Sequence, residues 1–268
     1  MEIEKSIKFI RKNGNIIEKA RLEAILWDKK PGIEVFEEIA LFQKTDGGFS
    51  YWVKEISNIT DTCYILEWFD DLKIYRGPIV DLACRFLLDR QSSDGGWDEV
   101  KGVTSYNPPE WMIPGQIETR VWLTAYCAHI LIRFGYAEAE DTYCPTNFLI
   151  ANCDKSGRMK GYLRATWLAL PMLAFYSGDD PKIFNMAVKV VEDNFSNDWR
   201  GGYIAWLINC LKDAGLKINH SLVSLALSEV IRKQNLDGSW DPEEGEGEEY
   251  RVDATLSVLK ALKRYELI

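Results

Sequence analysis

Apolar residues recur with a helical period along almost the whole chain, and two kinds of helix alternate. One kind is amphipathic: residues 33–42 and 79–88 gather their aliphatic and aromatic side chains on one face. The other is apolar on nearly every side, as in Trp167-Leu168-Ala169-Leu170-Pro171-Met172-Leu173. A helix that is apolar all round must be buried all round. The period predicts six helix pairs. They are 6–12 with 16–27; 33–42 with the run holding Ile65, Leu66, Trp68 and Phe69; 79–88 with the run holding Val121, Trp122, Leu123, Tyr126, Ile130 and Leu131; 147–152 with 163–176; 181–194 with 203–212; and 221–233 with 252–265. Gly135, Gly178, Pro181 and Gly215 fall at the breaks. Six apolar helices inside six amphipathic ones predict an all-α fold, an (α/α)6 toroid, with residues 1–268 as one domain. Strand signals are essentially absent.

A motif punctuates these pairs. Gln43-Lys44-Thr45-Asp46-Gly47-Gly48-Phe49 returns as Gln91-Ser92-Ser93-Asp94-Gly95-Gly96-Trp97 and again as Gln234-Asn235-Leu236-Asp237-Gly238-Ser239-Trp240. Each copy follows an amphipathic helix and precedes a polar loop and an apolar helix. The first two copies start about 48 residues apart, which suits one helical hairpin per repeat. The glutamine can hydrogen-bond exposed backbone at a helix end, and the glycine pair permits a tight reversal.

Composition narrows the partners. A formal net charge of -9 excludes nucleic acid as the main partner, because backbone binding needs clustered positive charge. No run reaches the roughly 18 apolar residues of a membrane span, although peripheral contact with a membrane stays open. The first residues, Met1-Glu2-Ile3-Glu4-Lys5, show no secretory signal. Six cysteines (Cys63, Cys84, Cys127, Cys144, Cys153, Cys210) stand singly, the pattern of reduced thiols in a cytoplasmic protein. Ten tryptophans exceed what a core needs and point to an aromatic-lined cavity.

The Q-x-x-D-G-G-aromatic repeat followed by a helix opening with Asp-Thr resembles that of the terpenoid cyclase and protein prenyltransferase superfamily, including the QW repeats of squalene-hopene cyclase-type enzymes. The resemblance is strong in the second, third and sixth pairs. It implies the (α/α)6 toroid and a central cavity for an isoprenoid or similar apolar ligand. It also implies where to look for chemistry. Class II cyclases carry D-x-D-D at the start of an inner helix, and its middle acid protonates an alkene. Here the matching stretch is Asn58-Ile59-Thr60-Asp61, so Thr60 stands at the donor's place and Asp61 is the surviving acid. Zinc prenyltransferases carry D-x-C-Y there, matched by Asp61-Thr62-Cys63-Tyr64. Their third ligand, a histidine, has no counterpart at Glu118-Thr119-Arg120; His129 and His220 lie elsewhere. No metal is assigned from the residues. The resemblance brings in Mg2+ or Zn2+, the latter on Asp61 and Cys63 and with a partner subunit.

Each candidate has two readings. Asp61 and Glu118 are the candidate catalytic acids, yet an acid at a helix N-terminus, Asp253 included, also stabilises the exposed N–H groups there. Arg120, Arg164 and Arg251, with Arg200 nearby, suit a diphosphate or carboxylate, or else pair with neighbouring acids. Tyr64, Trp68, Trp122, Trp167, Tyr203 and Trp206, with Tyr162, would bind a prenyl chain or a carbocation, or pack helix on helix. Asp70-Asp71 is not the D-D-x-x-D of magnesium-dependent synthases, Asp179-Asp180-Pro181 reads as a turn, and 241–249 reads as a solvated acidic loop. The long 101–115 connection is a candidate lid. Three functions follow: a cyclase- or prenyltransferase-like enzyme on an isoprenoid, a non-catalytic isoprenoid-binding or scaffold toroid, and a zinc-dependent prenyltransferase β-type subunit.

Overall fold

The structure is a computed structural model that describes residues 1–137, 144–176 and 181–268. Among these residues are twelve α-helices: α1 (Ile3–Asn13), α2 (Ile16–Trp27), α3 (Ile33–Ala40), α4 (Ile59–Asp71), α5 (Pro78–Leu88), α6 (Ile117–Arg133), α7 (Pro145–Ala151), α8 (Leu163–Tyr176), α9 (Lys182–Asp193), α10 (Gly201–Asp213), α11 (Ser221–Arg232) and α12 (Arg251–Arg264). They fall where the apolar period puts them, and the described residues hold only isolated β-bridges outside them. The expected turn at Gly178, Asp179 and Asp180 lies outside the described residues.

The chain divides into two compact units. The first comprises Met1–Phe36, Asp71–Lys73 and Asn194–Ile268. In it α12 packs between α2 and α10, and α10 packs on α11. Ile7, Ile10, Leu22, Ile25, Leu256 and Leu259 form one apolar cluster. The second comprises Glu37–Asp70 and Ile74–Asp193. Here α8 packs against both α6 and α9, and Trp97, Trp167, Phe49, Phe69, Phe86 and Phe134 are fully buried. The apolar helices foreseen as inner ones bury almost their whole middle stretch, from Val121 to Leu131 in α6 and from Ala165 to Leu173 in α8.

The motif is a clasp with fixed bonds. In each copy the aspartate accepts from the N–H two residues on, that of Gly48, Gly96 or Ser239 (3.2, 3.1 and 3.0 Å). The first glycine takes φ near +90° in all three copies, and its Cα side presses on backbone at another helix: Leu82 in α5 for Gly47, the N-cap Cys144 of α7 for Gly95, Lys5 in α1 for Gly238. No Cβ fits there. The glutamine spans the turn, Gln43 donating to the carbonyls of Gly47 and Ile79 (both 2.9 Å) and Gln234 to those of Gly238 and Glu2. The aromatic residue then donates its N–H to a threonine hydroxyl in the next apolar helix: Phe49 to Thr62, Trp97 to Thr124, Trp240 to Thr255 (2.9, 2.9 and 3.1 Å). Each threonine passes the bond on to the carbonyl four residues back.

A fourth copy, which the sequence conceals, occupies 153–159. Asp154 N–H bonds the Arg158 carbonyl, Gly157 has φ +94° and abuts Ala187, and Met159 donates to Thr166 at 3.1 Å. Cys153 stands for the glutamine, Met159 for the aromatic. The carboxylate has moved two places, from the position of Ser156 to Asp154, yet it still captures the equivalent N–H, that of Arg158, at 3.1 Å.

Buried charge closes the first unit. Asp71 bonds Arg21 at 2.8 Å and Lys260 at 2.5 Å, and Arg21 also holds Asp253 at 2.7 Å. Burial pushes the Asp71 carboxyl up, but the Lys260 and Arg21 cations outweigh it and hold it below the usual carboxylate range. Asp70, in the second unit, pairs with Arg133. Both acids of Asp70-Asp71 are therefore spent on structural pairs.

Two stability predictions follow from these contacts. Asp71→Ala removes the buried carboxylate that Arg21 and Lys260 share and should cost about 3–5 kcal/mol in urea unfolding at neutral pH. Because the folded-state pKa is depressed, the wild-type advantage is complete above about pH 4 and disappears as pH falls through that lower pKa. Gly157→Ala should destabilise more than Gly215→Ala. The latter faces open space and pays only the left-handed backbone cost of roughly 1–2 kcal/mol. The former adds a clash with the Ala187 backbone, about 1–3 kcal/mol more, measurable in the same unfolding assay.

Candidate functional site

The start of α4 carries the candidate acid, and its bonds explain its state. Asn58 is the cap: its Oδ1 accepts from Asp61 N–H (2.8 Å) and its carbonyl from Thr62 N–H (3.2 Å). Asn58 Nδ2 donates to Asp61 Oδ2 at 2.6 Å, and the turn before the helix adds N–H donors from Tyr51 (2.6 Å) and Val53 (3.3 Å). Asp61 thus gathers the N–H groups of the preceding turn, and the capping foreseen for it falls to Asn58. Its other oxygen, Oδ1, is buried and has no hydrogen-bond partner. Burial pushes this carboxyl up, and the donors on Oδ2 from Tyr51, Asn58, Val53 and Trp52 pull it back only in part.

Glu99 is the residue that sequence reasoning missed. It follows the second motif by two residues and is buried. Its carboxylate reaches the first turn of α4, accepting from Ile59 N–H (2.8 Å), Thr60 N–H (3.0 Å) and the Thr60 hydroxyl (2.6 Å), while Val100 N–H donates at 2.8 Å. Nothing in a period or a motif marks it. A carboxylate just past the clasp, beside an acid-depleted Asn58-x-Thr60, was the only available hint.

The threonine bond sets a common register for the apolar helices, and in it the candidate acids are not equivalent. Asp61 lies one residue before Thr62, Asp253 two before Thr255 and Glu118 six before Thr124. Arg120 and Arg251 do coincide, four before their threonines, whereas Arg164 lies two before Thr166. Both coincident arginines bond the aspartate of their own motif, Arg120 to Asp94 (2.9 Å) and Arg251 to Asp237 (3.0 Å). They also stack on Phe148 and Phe9. Arg90 repeats this with Asp46 and Phe86. These charges brace the clasp, the ion-pair alternative of the two readings. Arg200 precedes α10 as its N-cap residue.

Glu118, Tyr162 and Arg164 come together at the starts of α6 and α8. Gly161 abuts the Glu118 side chain, and burial, then Glu110, raises the Tyr162 hydroxyl, with Arg164 opposing and Glu118 adding to the rise. Aromatics gather beside Asp61. Tyr51 lies 5.3 Å from Trp68 and 5.5 Å from Tyr64, and Trp52 lies 4.5 Å from Tyr64. Trp122 stacks on Tyr126 at 5.8 Å, and its indole N–H is buried with no hydrogen-bond partner. Trp167 is wholly buried in α8. Tyr203, Trp206 and Arg251 belong to the first unit, where Tyr203 meets Trp199 edge-on at 5.0 Å.

The zinc alternative finds no ligand set among the described residues. Cys63 points at Cys127, with Sγ atoms 3.6 Å apart, and burial drives its thiol well above the usual range. Asp61 turns instead to the Tyr51–Val53 backbone. His129 is buried in α6, and His220 caps α11 through Leu222 N–H (3.3 Å). Among the described residues no three His, Cys, Asp or Glu side chains are grouped to hold a metal. The 101–115 connection is pinned by buried Val103 and Met112 and by Gly115 N–H on the Asp98 carboxylate. The acidic 241–249 loop is tied at one end by Asn235 on Asp241. No helix of the described residues is long and apolar enough to cross a membrane.

No protein-family model matches the chain, and no curated protein matches it by sequence. Solved structures do. A protein from Actinoplanes matches with a TM-score of 0.66 at 16% identity, covering 98% of each chain. The type II terpene cyclase MstE from Scytonema, in its apo form, matches at 0.63 with 14% identity over 94% of this chain and 88% of that one. A variant of MstE in complex with its product, merosterolic acid A, matches at 0.64 with 14% identity over 99% and 96%. These likenesses show the fold: it is all-α, the helical toroid of the terpene cyclase structures.

The orphan oxygen gives a stability test. Asp61→Asn keeps an acceptor for the Tyr51–Val53 turn and places an amide where Oδ1 stood, so unfolding free energy at neutral pH should change by less than about 1.5 kcal/mol. The wild-type carboxyl, with its raised folded-state pKa, stabilises the protein relative to this variant at acid pH. That advantage falls as pH rises from about 4 through the folded pKa.

Proposed function

We propose that the protein is a cyclase of isoprenoid alkenes in which Asp61 starts the reaction by protonation. The observation that carries this reading is the lone Asp61 Oδ1: a buried carboxyl anchored through one oxygen and bare at the other is a general acid ready to give its proton away. In the proposed step the Oδ1–H proton passes to one alkene carbon and the π pair becomes the new C–H bond. The neighbouring carbon is left as a cation, and a second alkene attacks it to close the ring. A final proton loss restores an alkene, and Glu118 is the candidate acceptor. Tyr64, Trp68 and Trp122 offer π faces to the cation. Arg164, at the start of α8 beside Tyr162 and Glu118, is the candidate for a polar substrate head. The fold shared with a terpene cyclase supports the substrate class, since another MstE variant was solved with geranylgeranyl dihydroxybenzoate as substrate.

A second reading, an isoprenoid-binding protein without catalysis, rests on Thr60. Its hydroxyl stands at the usual donor's place and is committed to Glu99.

One assay separates them. Polyprenyl diphosphates, geranylgeranyl arenes and squalene-like alkenes are incubated with the protein, with and without Mg2+, and products are read by mass spectrometry. Cyclisation gives isomers of unchanged mass, and Asp61→Asn should slow it by about 10²–10⁴-fold. Turnover that survives Asp61→Asn removes Asp61 from the mechanism. Saturable binding with no product across the panel favours the second reading.

A further inference from the structure

Two buried carboxyl groups flank the first turn of α4, and they are solvated by the protein in opposite ways. Glu99 receives four donors, two on each oxygen, which favour its charged form and oppose the rise that burial gives its carboxyl. Asp61 receives all its donors on Oδ2 and none on Oδ1. The helix end between them matters. The first N–H groups of a helix carry a partial positive charge that would stabilise a nearby carboxylate and strip Asp61 of its proton. Here those of Ile59 and Thr60 point at Glu99, and that of Asp61 points at Asn58 Oδ1.

We propose that Glu99 is a positioning residue that keeps Asp61 protonated, by taking up the N-terminal donors of α4 and holding a negative charge one residue from it. The other groups about Asp61 are few. Cys63 shares its helix, with Cys127 of α6 behind it. Lys54 and Glu55 continue the turn that donates to Asp61, and both are exposed. Glu99 is the buried carboxyl among them, and its hydrogen-bond donors favour the charged form. The same raised carboxyl on Asp61 is what burial produces, and Glu99 prevents the helix end from undoing it. The proposal deepens the reading of Asp61 as an acid, but depends on it only for the rate measurements.

The test is a titration of the Asp61 side-chain carboxyl in the full chain, by carbon NMR with labelled aspartate, the resonance being assigned by its loss in Asp61→Asn. Glu99→Gln should lower the Asp61 midpoint by about one pH unit, and Glu99→Asp should restore most of it. Thr60→Val removes a donor from Glu99, leaves its charge less compensated and should move the midpoint up. An unmoved midpoint in folded Glu99→Gln overturns the proposal. Should Glu99→Gln not fold, Thr60→Val decides: an upward shift supports the proposal, and no shift or a downward one overturns it. Where turnover is found, Glu99→Gln should lower kcat about tenfold at pH values above the midpoint, leave KM unchanged and recover in acid. A midpoint that moves in a protein without turnover upholds the role of Glu99 while removing the cyclase reading.

Discussion

Four of the apolar helices hang on a threonine hydroxyl in their first turns. Thr62, Thr124, Thr166 and Thr255 each accept the N–H of a motif residue from the preceding loop. Thr62, Thr124 and Thr255 also donate to the carbonyl four residues back. A buried N–H left unpaired would cost on the order of 1–3 kcal/mol, so each such bond locks the end of one helix pair to its apolar partner. The glycine at φ near +90° does the rest, because it lets the clasp lie against another helix at a distance no side chain tolerates.

Acidic groups show how the frame can keep a contact while changing the residue that makes it. Asp46, Asp94 and Asp237 capture one N–H of the clasp, and in the fourth copy Asp154 captures the equivalent N–H from two positions earlier. At α4 the donors are met by Glu99, a residue from 39 positions away in the chain for Thr60. What is retained is an acceptor oxygen on the N–H donor, and it can be supplied along more than one route of the backbone.

The sequence made the helices legible because burial leaves a period, and it made three clasps legible because their glutamine, glycine and aromatic side chains all serve the same contacts. The fourth was hidden: Cys153 and Met159 replace the recognisable ends, and only Gly157 and Thr166 keep their roles. Asp61 was legible as an acid, but its two unequal oxygens were not, since they depend on the path of Tyr51–Val53. Arg120, Arg164 and Arg251 looked alike in one dimension. Measured from the threonines, two of them coincide and the third does not, a distinction that needs the register of the bonds rather than the spacing of the letters. Glu99 left only the faint hint of an acid just past the second clasp, because a cap supplied from another segment has no local pattern.

The same threonine bond spans 13 residues from Phe49, 27 from Trp97, 7 from Met159 and 15 from Trp240. Closing a longer loop adds little, about 0.6 kcal/mol for each doubling of length. The clasp therefore works as a socket of standard fitting, into which segments of unequal size are plugged at the mouth of each helix. Variation in what surrounds an acid such as Asp61 can accumulate there, by insertion and deletion, while the scaffold that aims it is left alone.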